Sequence, residues 1–597
     1  MCGIFGYTGK REAEDLVLNS LETLEYRGYD SAGAFFPDIG TTKAPGAVDE
    51  LRKAMRKHSK ATSGIAHLRW ATHGEPTKAN AHPHQDCKGS VAVVHNGIIE
   101  NYRELRAELA GKGHTFKSET DSEVIPHLIE SQLAEGRDLE EAVVATLARL
   151  RGTYGLLVAS TDYPQTIIAA RMGAPVALGV GVGEHFVASD ATPLLAHTKE
   201  VIFLNDGEVA VLTPSEYRVR TLVEHDIFRK PETIAWSEEL VSKGGYPHFM
   251  LKEIYEAPEV IENAMRGRLS ESGVKLGGLE PVADQLRAAK RIIITGCGTA
   301  YYAGLLGEYL IESIAGIPVE VEFASEFRYR EAPIEAGTVL IAMSQSGETA
   351  DTLEAVREAK RNGALALGIV NTVGSTIARE TDAGVYNHAG PEIGVASTKA
   401  FVSQVVVLTL VALFLAKKVN GIGAELRRLP ELVQNVLAQS EEIKHIAEDY
   451  MDARDFLYIG RRFSYPVALE GALKLKEISY IHAEGYGAGE MKHGPLAMID
   501  EDFPTLAIVP QDSVYDKTLS NMIEIKARKG PIIAIATEGD TRVAEIADRV
   551  IYISKTGEEL SPILSAVALQ LFSYHMASLK GHNVDRPRNL AKSVTVE

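Results

Sequence analysis

The sequence predicts a multidomain protein of mixed α/β and α+β class, with a helix-flanked sheet sandwich followed by two tandem, doubly wound parallel-sheet domains. Three observations predict this. The first 235 residues are rich in short strands and turns, the chain alternates strand, loop and helix from about residue 290, and the second half repeats itself. The length of 597 residues agrees with several domains, because single cores rarely grow beyond about 250–300 residues.

Short strand candidates fill the N-terminal region. Residues 90–95 (SVAVVH) are strand-like and stop at Asn96-Gly97, a strong turn signal, and residues 101–111 then have a helical pattern. Further strand candidates are residues 153–160, 176–183 and 201–203. Many short strands with few helices favour a sandwich of sheets packed against helices.

The pattern changes after residue 235. Residues 236–250 contain Gly244-Gly245 and Pro247 and predict a linker, and residues 251–265 predict a helix. Buried strands are then expected at residues 291–295, 339–343 and 365–370. Each precedes a polar loop and a segment of helical period, which is typical of a parallel sheet.

The parallel-sheet pattern occurs twice. Residues 456–460 (FLYIG) repeat residues 292–296 (IIITG) at an offset of 164, and two later pairs of segments repeat at offsets of 167 and 166. A nearly constant offset indicates a tandem pair of domains. The predicted boundaries are 1–235 for the N-terminal domain, 236–250 for the linker, 251–430 and 431–585 for the two parallel-sheet domains, and 586–597 for a C-terminal tail.

Composition limits the possible partners and compartments. The net charge of −19 disfavours nonspecific binding to nucleic acid or to an anionic membrane. Three cysteines cannot build a disulfide framework, and this favours a reducing compartment. No signal peptide is expected at the start of the sequence. The longest apolar run, residues 405–416, is shorter than the about 18–20 residues of a bilayer span and predicts a buried helix. We therefore expect a cytoplasmic protein that binds neither nucleic acid nor membrane.

Cys2 is the most informative residue of the N-terminal region. Once Met1 is removed, the thiol and a free α-amino group lie on the same residue. The amine, with an ordinary pKa of about 7.7–8, can then act as the general base for its own side chain. On position alone, however, a buried structural cysteine is the more frequent case.

Six motifs decide between these interpretations. They are residues 1–6 (MCGIFG), 26–33 (YRGYDSAG), 67–74 (HLRWATHG), 80–84 (NAHPH), 95–101 (HNGIIEN) and 120–123 (TDSE). Together they resemble the class II glutamine amidotransferases, whose N-terminal cysteine hydrolyses glutamine. The resemblance implies an αββα sandwich of the N-terminal-nucleophile type.

The same resemblance implies roles for individual residues. Asn96, through its side chain, and Gly97, through its backbone N–H, would form an oxyanion hole, in which one donor is worth about 3–4 kcal/mol. Arg69 would pair with the α-carboxylate of glutamine and Asp121 with its α-ammonium group. Taken alone, these two charges would equally suit a solvated surface. The other implied glutamine-binding residues are Trp70, Thr72 and His73.

A short His-Pro-His segment raises the question of a metal site. His82 and His84 have no acidic or cysteine partner at ligand spacing, so the signal is weak. The family resemblance makes this segment structural and close to the active site. We expect no metal, and we interpret Cys87 as an ordinary loop cysteine.

Two glycine-containing loops follow strands in the second half. Residues 296–301 (GCGTAY) have Tyr301 where a dinucleotide fingerprint requires glycine, and the chain lacks a Walker lysine pattern, so NAD and ATP sites are not expected. Residues 344–349 (SQSGET) place three hydroxyl groups between a strand and a helix that begins at about Thr352. This arrangement suits a phosphate, although simple N-capping by serine and threonine is the alternative.

Residues 344–349 and 392–401 (EIGVASTKAF) resemble the sugar isomerase family, whose doubly wound domains bind phosphosugars. The chain departs from the family at Ala300, where serine is usual, so one hydroxyl contact to the phosphate is expected to be missing. The resemblance implies sugar-phosphate contacts from Thr299, Ser344, Gln345, Ser346, Thr349, Val395, Ser397 and Ala591.

One predicted helix carries three charged residues on a single face. Glu470, Lys474 and Glu477 lie at positions i, i+4 and i+7. A solvated salt-bridge stripe is the ordinary interpretation. Apolar flanks suggest partial burial instead, where a carboxylate could act as a general base. His493 lies in a glycine-bounded loop, and Lys592 in the tail would ordinarily be solvated.

Over the whole chain the two halves together resemble the isomerising glutamine–fructose-6-phosphate aminotransferases. The tail, residues 587–597 (PRNLAKSVTVE), is close to a signature of this family. The resemblance implies that Cys2 releases ammonia from glutamine and that ammonia crosses an internal channel gated by Trp70. It also implies amination and isomerisation of fructose 6-phosphate to glucosamine 6-phosphate, the first step of the hexosamine pathway to UDP-N-acetylglucosamine.

In the implied second reaction, His493 assists ring opening and Lys592 forms a Schiff base at C2. Glu477 moves a proton from C1 to C2, and Lys474 assists at this site. The chemistry uses the protein's own lysine and implies no metal, flavin or nucleotide cofactor. The resemblance also implies a homodimer, with His493 reaching the partner's site.

Three alternatives stay open from the residues. The first is a sugar-phosphate isomerase with an inactive glutaminase half, against which the intact nucleophile and oxyanion-hole residues argue. The second acts on a different ketose phosphate or as a deglycase, which Ala300 allows. The third is a non-catalytic phosphosugar sensor, which would retain residues 344–349 but has no need for Glu477, His493 or Lys592.

Overall fold

The computed structural model describes residues 2–70, 74–223, 226–233, 242–271, 273–416 and 421–595. The chain divides into two compact units, residues 1–241 together with 591–597, and residues 242–590. Part of the predicted linker, residues 236–241, lies outside the described residues, as do Thr72 and His73. The domain boundaries predicted above stay predictions.

The first unit alternates short strands with a few helices. In chain order its described elements are β1 (Gly3–Thr8), α1 (Ala13–Glu22), β2 (Ser31–Phe36), β3 (Gly40–Pro45), α2 (Val48–Ala54), β4 (Ser63–Arg69), β5 (His84–Gln85), β6 (Val91–Ile99), α3 (Tyr102–Gly111), α4 (Val124–Ala134), α5 (Leu139–Leu147), β7 (Gly152–Ser160), β8 (Ile167–Met172), β9 (Ala177–Val180), β10 (His185–Ala188), β11 (Glu200–Phe203), β12 (Glu208–Leu212), β13 (Tyr217–Thr221), β14 (Asp226–Ile227) and β15 (Glu232–Thr233).

Over its described residues, the first unit contains two antiparallel sheets packed face to face. The strand orders are β15-β11-β9-β10-β1-β4-β2-β3 and β14-β13-β12-β8-β7-β6-β5. Ile4 and Phe35 of one sheet share a core with Val94 and Leu157 of the other. Helices α3, α4 and α5 cover the outer face of the second sheet, and α1 packs on β1 and β4 of the first. The predicted αββα sandwich is confirmed.

The predicted end of strand β6 is wrong. The strand does not stop at Asn96-Gly97 but continues to Ile99, with Asn96 paired to Gly155 of β7. Gly97 has a φ of +131°, and a Cβ there would lie 2.1 Å from the carbonyl oxygen of Thr153. Gly97 therefore allows two strands to approach each other closely and does not form a hairpin turn.

The second unit alternates strands and helices. Its described elements are α6 (Phe249–Tyr255), α7 (Ala257–Met265), β16 (Leu269–Ser270), β17 (Gly273–Val274), α8 (Ala283–Arg287), β18 (Arg291–Gly296), α9 (Thr299–Ala315), β19 (Val319–Phe323), α10 (Ala324–Phe327), β20 (Thr338–Ser344), α11 (Ala350–Arg361), β21 (Leu365–Val370), α12 (Thr376–Glu380), β22 (Ala383–Tyr386), α13 (Lys399–Ala416), α14 (Ile422–Leu437), α15 (Ser440–Asp449), β23 (Asp455–Gly460), α16 (Ser464–Ser479), β24 (His482–Gly487), β25 (Thr505–Val509), α17 (Tyr515–Lys526), β26 (Ile532–Thr537), α18 (Thr541–Ala544), β27 (Arg549–Ile553) and α19 (Ser561–Leu579).

Two parallel sheets with the same strand order form the second unit. The orders are β19-β18-β20-β21-β22 and β24-β23-β25-β26-β27. In each sheet the order in which strands are added reverses beside the first strand, β18 or β23, and doubly wound folds bind ligands at this point. The predicted tandem repeat is confirmed.

Two apolar helices lie in the core of the second unit. Among the described residues, α13 and α19 are long and apolar enough to cross a membrane, but 94% and 89% of their apolar windows are buried in the protein. Both helices contribute to one hydrophobic core that also includes strands of both sheets. The expectation of a buried helix at residues 405–416 is confirmed, and the burial is consistent with a soluble protein.

The helix predicted for residues 251–265 is two helices. Helix α6 ends at Tyr255 and α7 begins at Ala257, with Pro258 in its first turn. Proline has no N–H and its ring crowds the preceding turn, so an uninterrupted helix is disfavoured there.

Candidate active sites

The thiol of Cys2 lies at the start of strand β1, beside the end of β4. The backbone N–H of Trp70 donates to its Sγ at 3.3 Å. The backbone carbonyl of Cys2 accepts hydrogen bonds from Arg27 at 3.3 Å and from the side-chain amide of Asn96 at 3.0 Å. Burial raises the pKa of the Cys2 thiol, while the Trp70 N–H and the positive charges of Arg69 and Arg27 oppose the rise. The thiol therefore needs a base to become a nucleophile.

His67 sets the orientation of Asn96. The Nε2 atom of His67 lies 3.1 Å from the carbonyl oxygen of His95 and 3.1 Å from Oδ1 of Asn96. A backbone carbonyl only accepts hydrogen bonds, so Nε2 carries the ring hydrogen. That hydrogen fixes Oδ1 of Asn96 towards His67 and directs its Nδ2 towards Cys2. The motif at residues 67–74 contained His67, but sequence reasoning assigned it no role.

His67 is a neutral imidazole in a group of buried histidines. Burial lowers its pKa to about 3 and holds the pKa values of His82 and His84 well below their usual range. The rings of His67 and His82 are stacked with centroids 4.1 Å apart. Nε2 of His84 is hydrogen-bonded to the hydroxyl of Thr120 at 2.9 Å. The His-Pro-His segment thus packs against His67, the residue that hydrogen-bonds to Asn96.

Arg69 and Asp121 are both buried near Cys2. The guanidinium of Arg69 donates to the carbonyl oxygens of Gly74 and Glu75 at 3.1 Å each. The carboxylate of Asp121 accepts from the backbone N–H of Ile99 at 2.7 Å. Burial lowers the pKa of Arg69, while the nearby Cys2 and Asp121 favour its charged form. The first unit thus brings together a thiol, an amide donor, a cation and a carboxylate.

In the second unit the three charged residues of α16 form one buried cluster. Lys474 is fully buried, and its Nζ lies 2.6 Å from Oε2 of Glu477 and 3.5 Å from Oε1 of Glu470. The same Nζ donates to the hydroxyl of Thr299 at 2.9 Å, and that hydroxyl donates to Glu470 at 3.2 Å. A solvated stripe is therefore excluded. Thr299 thereby joins the first parallel-sheet domain to the second, and its predicted contact with the sugar phosphate stays a prediction.

The ammonium group of Lys474 lies close to the carboxyl groups of both Glu470 and Glu477. Burial raises the pKa of Glu470 to about 8, and the charge of Lys474 offsets only part of the rise. Burial lowers the pKa of Lys474, but the attraction of Glu470 and Glu477 outweighs it and raises the value overall. Glu470 consequently holds a proton near neutral pH, while Lys474 and Glu477 form the ion pair.

The hydroxyl-rich loop lies between the end of β20 and the start of α11. The backbone N–H of Gly347 donates to Ser344 at 3.0 Å, and the Ser344 and Thr349 hydroxyls are hydrogen-bonded at 3.1 Å. The backbone N–H of Glu348 donates to the hydroxyl of Ser346 at 3.1 Å. Thr349 occupies the N-cap of α11 but makes no side-chain capping bond. Simple N-capping therefore does not explain Thr349.

The other predicted sugar-site residues lie near the start of α13. Ser397 donates to the buried Glu392 at 3.0 Å, and Glu392 accepts from the backbone N–H groups of Thr398 and Ala400. The backbone N–H of Val395 donates to the carbonyl of Asp585 at 3.1 Å. Gln345 lies within the hydroxyl-rich loop, where its carbonyl accepts from Asn371 at 3.2 Å.

Three further predicted residues are His493, Ala591 and Lys592. His493 is the exposed last residue of a 3₁₀ turn, Glu490–His493, and within the described residues it makes no hydrogen bond or ion pair. Ala591 and Lys592 belong to the tail, which groups with the first unit. Their predicted roles at the sugar site stay predictions.

Known proteins match the chain over its whole length. The SIS domain model matches residues 285–414 and 449–580, and the glutamine amidotransferase domain model matches residues 67–196. An isomerizing glutamine–fructose-6-phosphate aminotransferase of Chlorobaculum tepidum is 52% identical, with 100% of both chains covered. That of Thermotoga maritima is 50% identical over the same coverage. The chain belongs to the family of isomerizing glutamine–fructose-6-phosphate aminotransferases.

Solved structures agree with membership of the aminotransferase family. The C-terminal domain of the Francisella tularensis glucosamine–fructose-6-phosphate aminotransferase is 41% identical, covers 58% of this chain and 100% of its own, and has a TM-score of 0.55. A tagatose-6-phosphate ketose/aldose isomerase of Escherichia coli has a TM-score of 0.50 at 18% identity, covering 58% of this chain and 97% of its own. The latter supports the fold alone.

Proposed function

We propose that this aminotransferase hydrolyses glutamine at Cys2 and uses the ammonia to convert fructose 6-phosphate into glucosamine 6-phosphate. The carrying observation is that one chain holds a cysteine beside an oriented amide donor in one unit and a buried lysine–carboxylate cluster in the other. The relatives are isomerizing glutamine–fructose-6-phosphate aminotransferases, and this supports glutamine and fructose 6-phosphate as the two substrates.

Glutamine hydrolysis starts with removal of the Cys2 thiol proton. With Met1 removed, the α-amino group of Cys2 takes this proton and the thiolate attacks the amide carbon of glutamine. The resulting oxyanion accepts hydrogen bonds from the second N–H of Asn96 and from the backbone N–H of Gly97. Collapse breaks the C–N bond, releases ammonia with the proton, and leaves a thioester that water hydrolyses to glutamate.

Charged side chains position the glutamine during this step. The guanidinium of Arg69 pairs with its α-carboxylate, and Asp121 pairs with its α-ammonium group. Trp70, Thr72 and His73 complete the binding loop. Ammonia then passes to the sugar site, with Trp70 as the gate.

The second reaction replaces the C2 oxygen of the sugar with nitrogen. His493 assists opening of the sugar ring, and the amine of Lys592 forms a Schiff base at C2 with loss of water. Ammonia displaces Lys592 from this carbon. Glu477 takes a proton from C1 and returns it to C2, which yields the aldose. Lys474 holds the Glu477 carboxylate in place through their ion pair.

The phosphate of the sugar is assigned to the loop between β20 and α11. Ser344, Ser346 and Thr349 supply hydroxyl groups, and the first turn of α11 supplies backbone N–H groups. We further propose that the protein is a cytoplasmic homodimer in which His493 serves the partner's site.

The test is a coupled assay on the full chain with glutamine and fructose 6-phosphate, without added nucleotide or metal. Glutamate and glucosamine 6-phosphate are counted together, and intact mass establishes that Met1 is absent. Equal amounts of both products are expected. In Cys2→Ala neither product forms from glutamine, whereas Glu477→Gln still releases glutamate.

Other outcomes separate the alternatives. Glutamate without amino sugar would mean a working glutaminase acting with another sugar. Absence of both products, with Met1 removed, would contradict the proposal and favour a phosphosugar sensor. Fructose 6-phosphate isomerised without glutamine consumption would favour the isomerase with an inactive glutaminase.

A further inference from the structure

A second group of reactive side chains lies in the first unit, apart from the Cys2 site. It consists of Cys87, His114, His127 and Glu130, whose candidate ligand atoms all lie within 4.8 Å of one another. Cys87 lies in the turn between β5 and β6, and His114 follows α3. His127 and Glu130 are one turn apart on α4. Three separate segments therefore converge on one point.

Four of the six distances between these ligand atoms lie close to the edges of a tetrahedral metal site. Sγ of Cys87 lies 3.6 Å from Nδ1 of His114 and 3.5 Å from Nδ1 of His127. Zinc bonds of about 2.3 Å to sulfur and about 2.0–2.1 Å to nitrogen, at the tetrahedral angle, place sulfur and nitrogen about 3.5–3.6 Å apart. Oε2 of Glu130 lies 2.9 Å from Nδ1 of His114 and 3.6 Å from Nδ1 of His127. One of these distances is shorter and the other longer than the separation of about 3.3 Å expected between a nitrogen and an oxygen ligand of the same zinc ion.

Outer contacts hold the ligands in this arrangement. Nε2 of His114 is hydrogen-bonded to the hydroxyl of Ser131 at 2.9 Å, which leaves Nδ1 to face the cluster. Nε2 of the buried His127 lies 3.9 Å from Oε1 of Glu123. The backbone N–H of Cys87 donates to Glu130 at 3.2 Å. Metal-binding histidines usually have an oxygen partner on the ring nitrogen away from the metal, as His114 has in Ser131. The distance from Nε2 of His127 to Glu123 is too long for a hydrogen bond.

The donor set and its exposure indicate the kind of metal. One thiolate, two imidazoles and one carboxylate are the ligands that tetrahedral zinc takes in proteins, whereas calcium and magnesium prefer oxygen ligands. His127 is buried and the side chains of His114 and Glu130 are each 12% exposed, while Cys87 is exposed. An ion can therefore enter from the side of Cys87.

We infer that Cys87, His114, His127 and Glu130 bind one zinc ion in the first unit. Four protein ligands leave no open position, so the ion is structural and not catalytic. This inference differs from the sequence interpretation, which considered the His-Pro-His segment alone and treated Cys87 as an ordinary loop cysteine. The partners of Cys87 lie 27, 40 and 43 residues further along the chain. No short sequence motif therefore contains all four residues.

The ion would fasten the β5–β6 turn to helix α4. Strand β6 carries Asn96, and Asp121 lies three residues before α4. Binding would therefore stabilise the segments that hold two proposed glutamine-site residues. Zinc affinity itself does not depend on the proposed glutaminase activity.

The test measures metal binding by the full chain. Protein stripped with a chelator is titrated with Zn²⁺, and its zinc content is measured by mass spectrometry after desalting. Co²⁺ is then used as an optical probe, because a thiolate–Co²⁺ bond gives a charge-transfer band. The titrations use a Cys2→Ala background, so that the thiol of Cys2 contributes nothing. Cys297→Ser is the matched cysteine control, because Cys297 lies in the second unit.

The expected result is about one zinc ion per chain and a Co²⁺–thiolate band in both Cys2→Ala and Cys2→Ala/Cys297→Ser. Cys87→Ser on the same background should lose the band and the zinc. Ser131→Ala should weaken zinc binding about 10-fold, as loss of an outer hydrogen bond typically does. Zinc should also raise the Tm of the first unit's unfolding transition.

Two results would overturn the inference. One is a Cys2→Ala protein that shows no Co²⁺–thiolate band and retains no Zn²⁺. The other is a band and zinc content that survive Cys87→Ser unchanged. If Cys87→Ser does not fold, the titration of Cys2→Ala decides between binding and no binding.

Discussion

The Nε2–H of His67 lies 3.1 Å from Oδ1 of Asn96, and Nδ2 of the same amide lies 3.0 Å from the carbonyl oxygen of Cys2. One buried, neutral imidazole thereby decides which end of the Asn96 amide faces Cys2. His67 is a positioning residue: it acts on the proposed oxyanion hole through Asn96.

Replacing His67 should impair chemistry more than binding. In His67→Ala the Asn96 amide loses the donor that orients it, so kcat for glutamine hydrolysis should fall about 10²-fold, as when an oxyanion donor is lost. The KM for glutamine should change little, because Arg69 and Asp121 remain. Steady-state kinetics of glutamate release measures both constants.

Two variants separate positioning from packing. His197→Ala removes a half-buried imidazole that is stacked on Phe186, and it should lower the Tm with little effect on kcat. His67→Gln keeps an N–H donor and should recover part of the lost kcat. Equal losses of kcat in His67→Ala and His197→Ala would argue against the positioning role.

Gly97→Ala should disrupt the first unit. A Cβ at residue 97 would lie 2.1 Å from the carbonyl oxygen of Thr153, and its φ of +131° disfavours any side chain. Gly113 also has a positive φ, +94°, but a Cβ there meets nothing within 4 Å. Gly113→Ala should therefore lose only the about 1–3 kcal/mol of backbone strain. Denaturant unfolding of both variants measures the difference, and equal losses would contradict the close-approach argument.

Glu477→Gln should separate the two reactions. If Glu477 carries the C1-to-C2 proton, glucosamine 6-phosphate formation should fall by about 10²–10⁴-fold, the usual contribution of a general base. Glutamate release should continue, because the first site is intact. Glu484→Gln is the control, since Glu484 is a partly exposed carboxylate on the neighbouring strand β24. Full amino-sugar synthesis by Glu477→Gln would exclude its proposed role.

The buried cluster predicts a pH-dependent stability. The pKa of Glu470 is raised to about 8 in the folded protein, above an ordinary value of about 4.3 in the unfolded chain. Between these values the folded state binds more protons than the unfolded state. The free energy of unfolding should therefore fall as the pH rises through this window, by at most about 1.4 kcal/mol per pH unit.

Glu470→Gln tests this pH dependence, because glutamine cannot ionise. The variant should show a flatter stability profile between about pH 5 and pH 8 than the wild type, as measured by denaturant unfolding. Glu484→Gln should keep the wild-type slope. Parallel profiles for Glu470→Gln and the wild type would show that Glu470 titrates normally.

Local patterns predicted most of the architecture. Alternating strands and helices indicated the two parallel sheets, because a buried strand and an amphipathic helix each have a characteristic period. Two predictions of secondary structure were wrong because a local sequence pattern did not decide the structure there. Asn96-Gly97 looks like a turn, but pairing with Gly155 and Tyr154 of β7 continues the strand through it. The helix predicted at residues 251–265 is interrupted at Glu256, two residues before Pro258.

The sequence by itself determined the order of the domains, the repeat and the family, and it predicted Cys2 as the nucleophile, because these depend on motifs and periods along the chain. Only the tertiary structure decided which partner each polar group has. It showed that His67 is hydrogen-bonded to Asn96 and that Thr299 is hydrogen-bonded to Lys474. It also showed that Cys87 lies beside two histidines and a glutamate. Such contacts form between residues far apart in the chain, and burial, not spacing, then decides their charge and their chemistry.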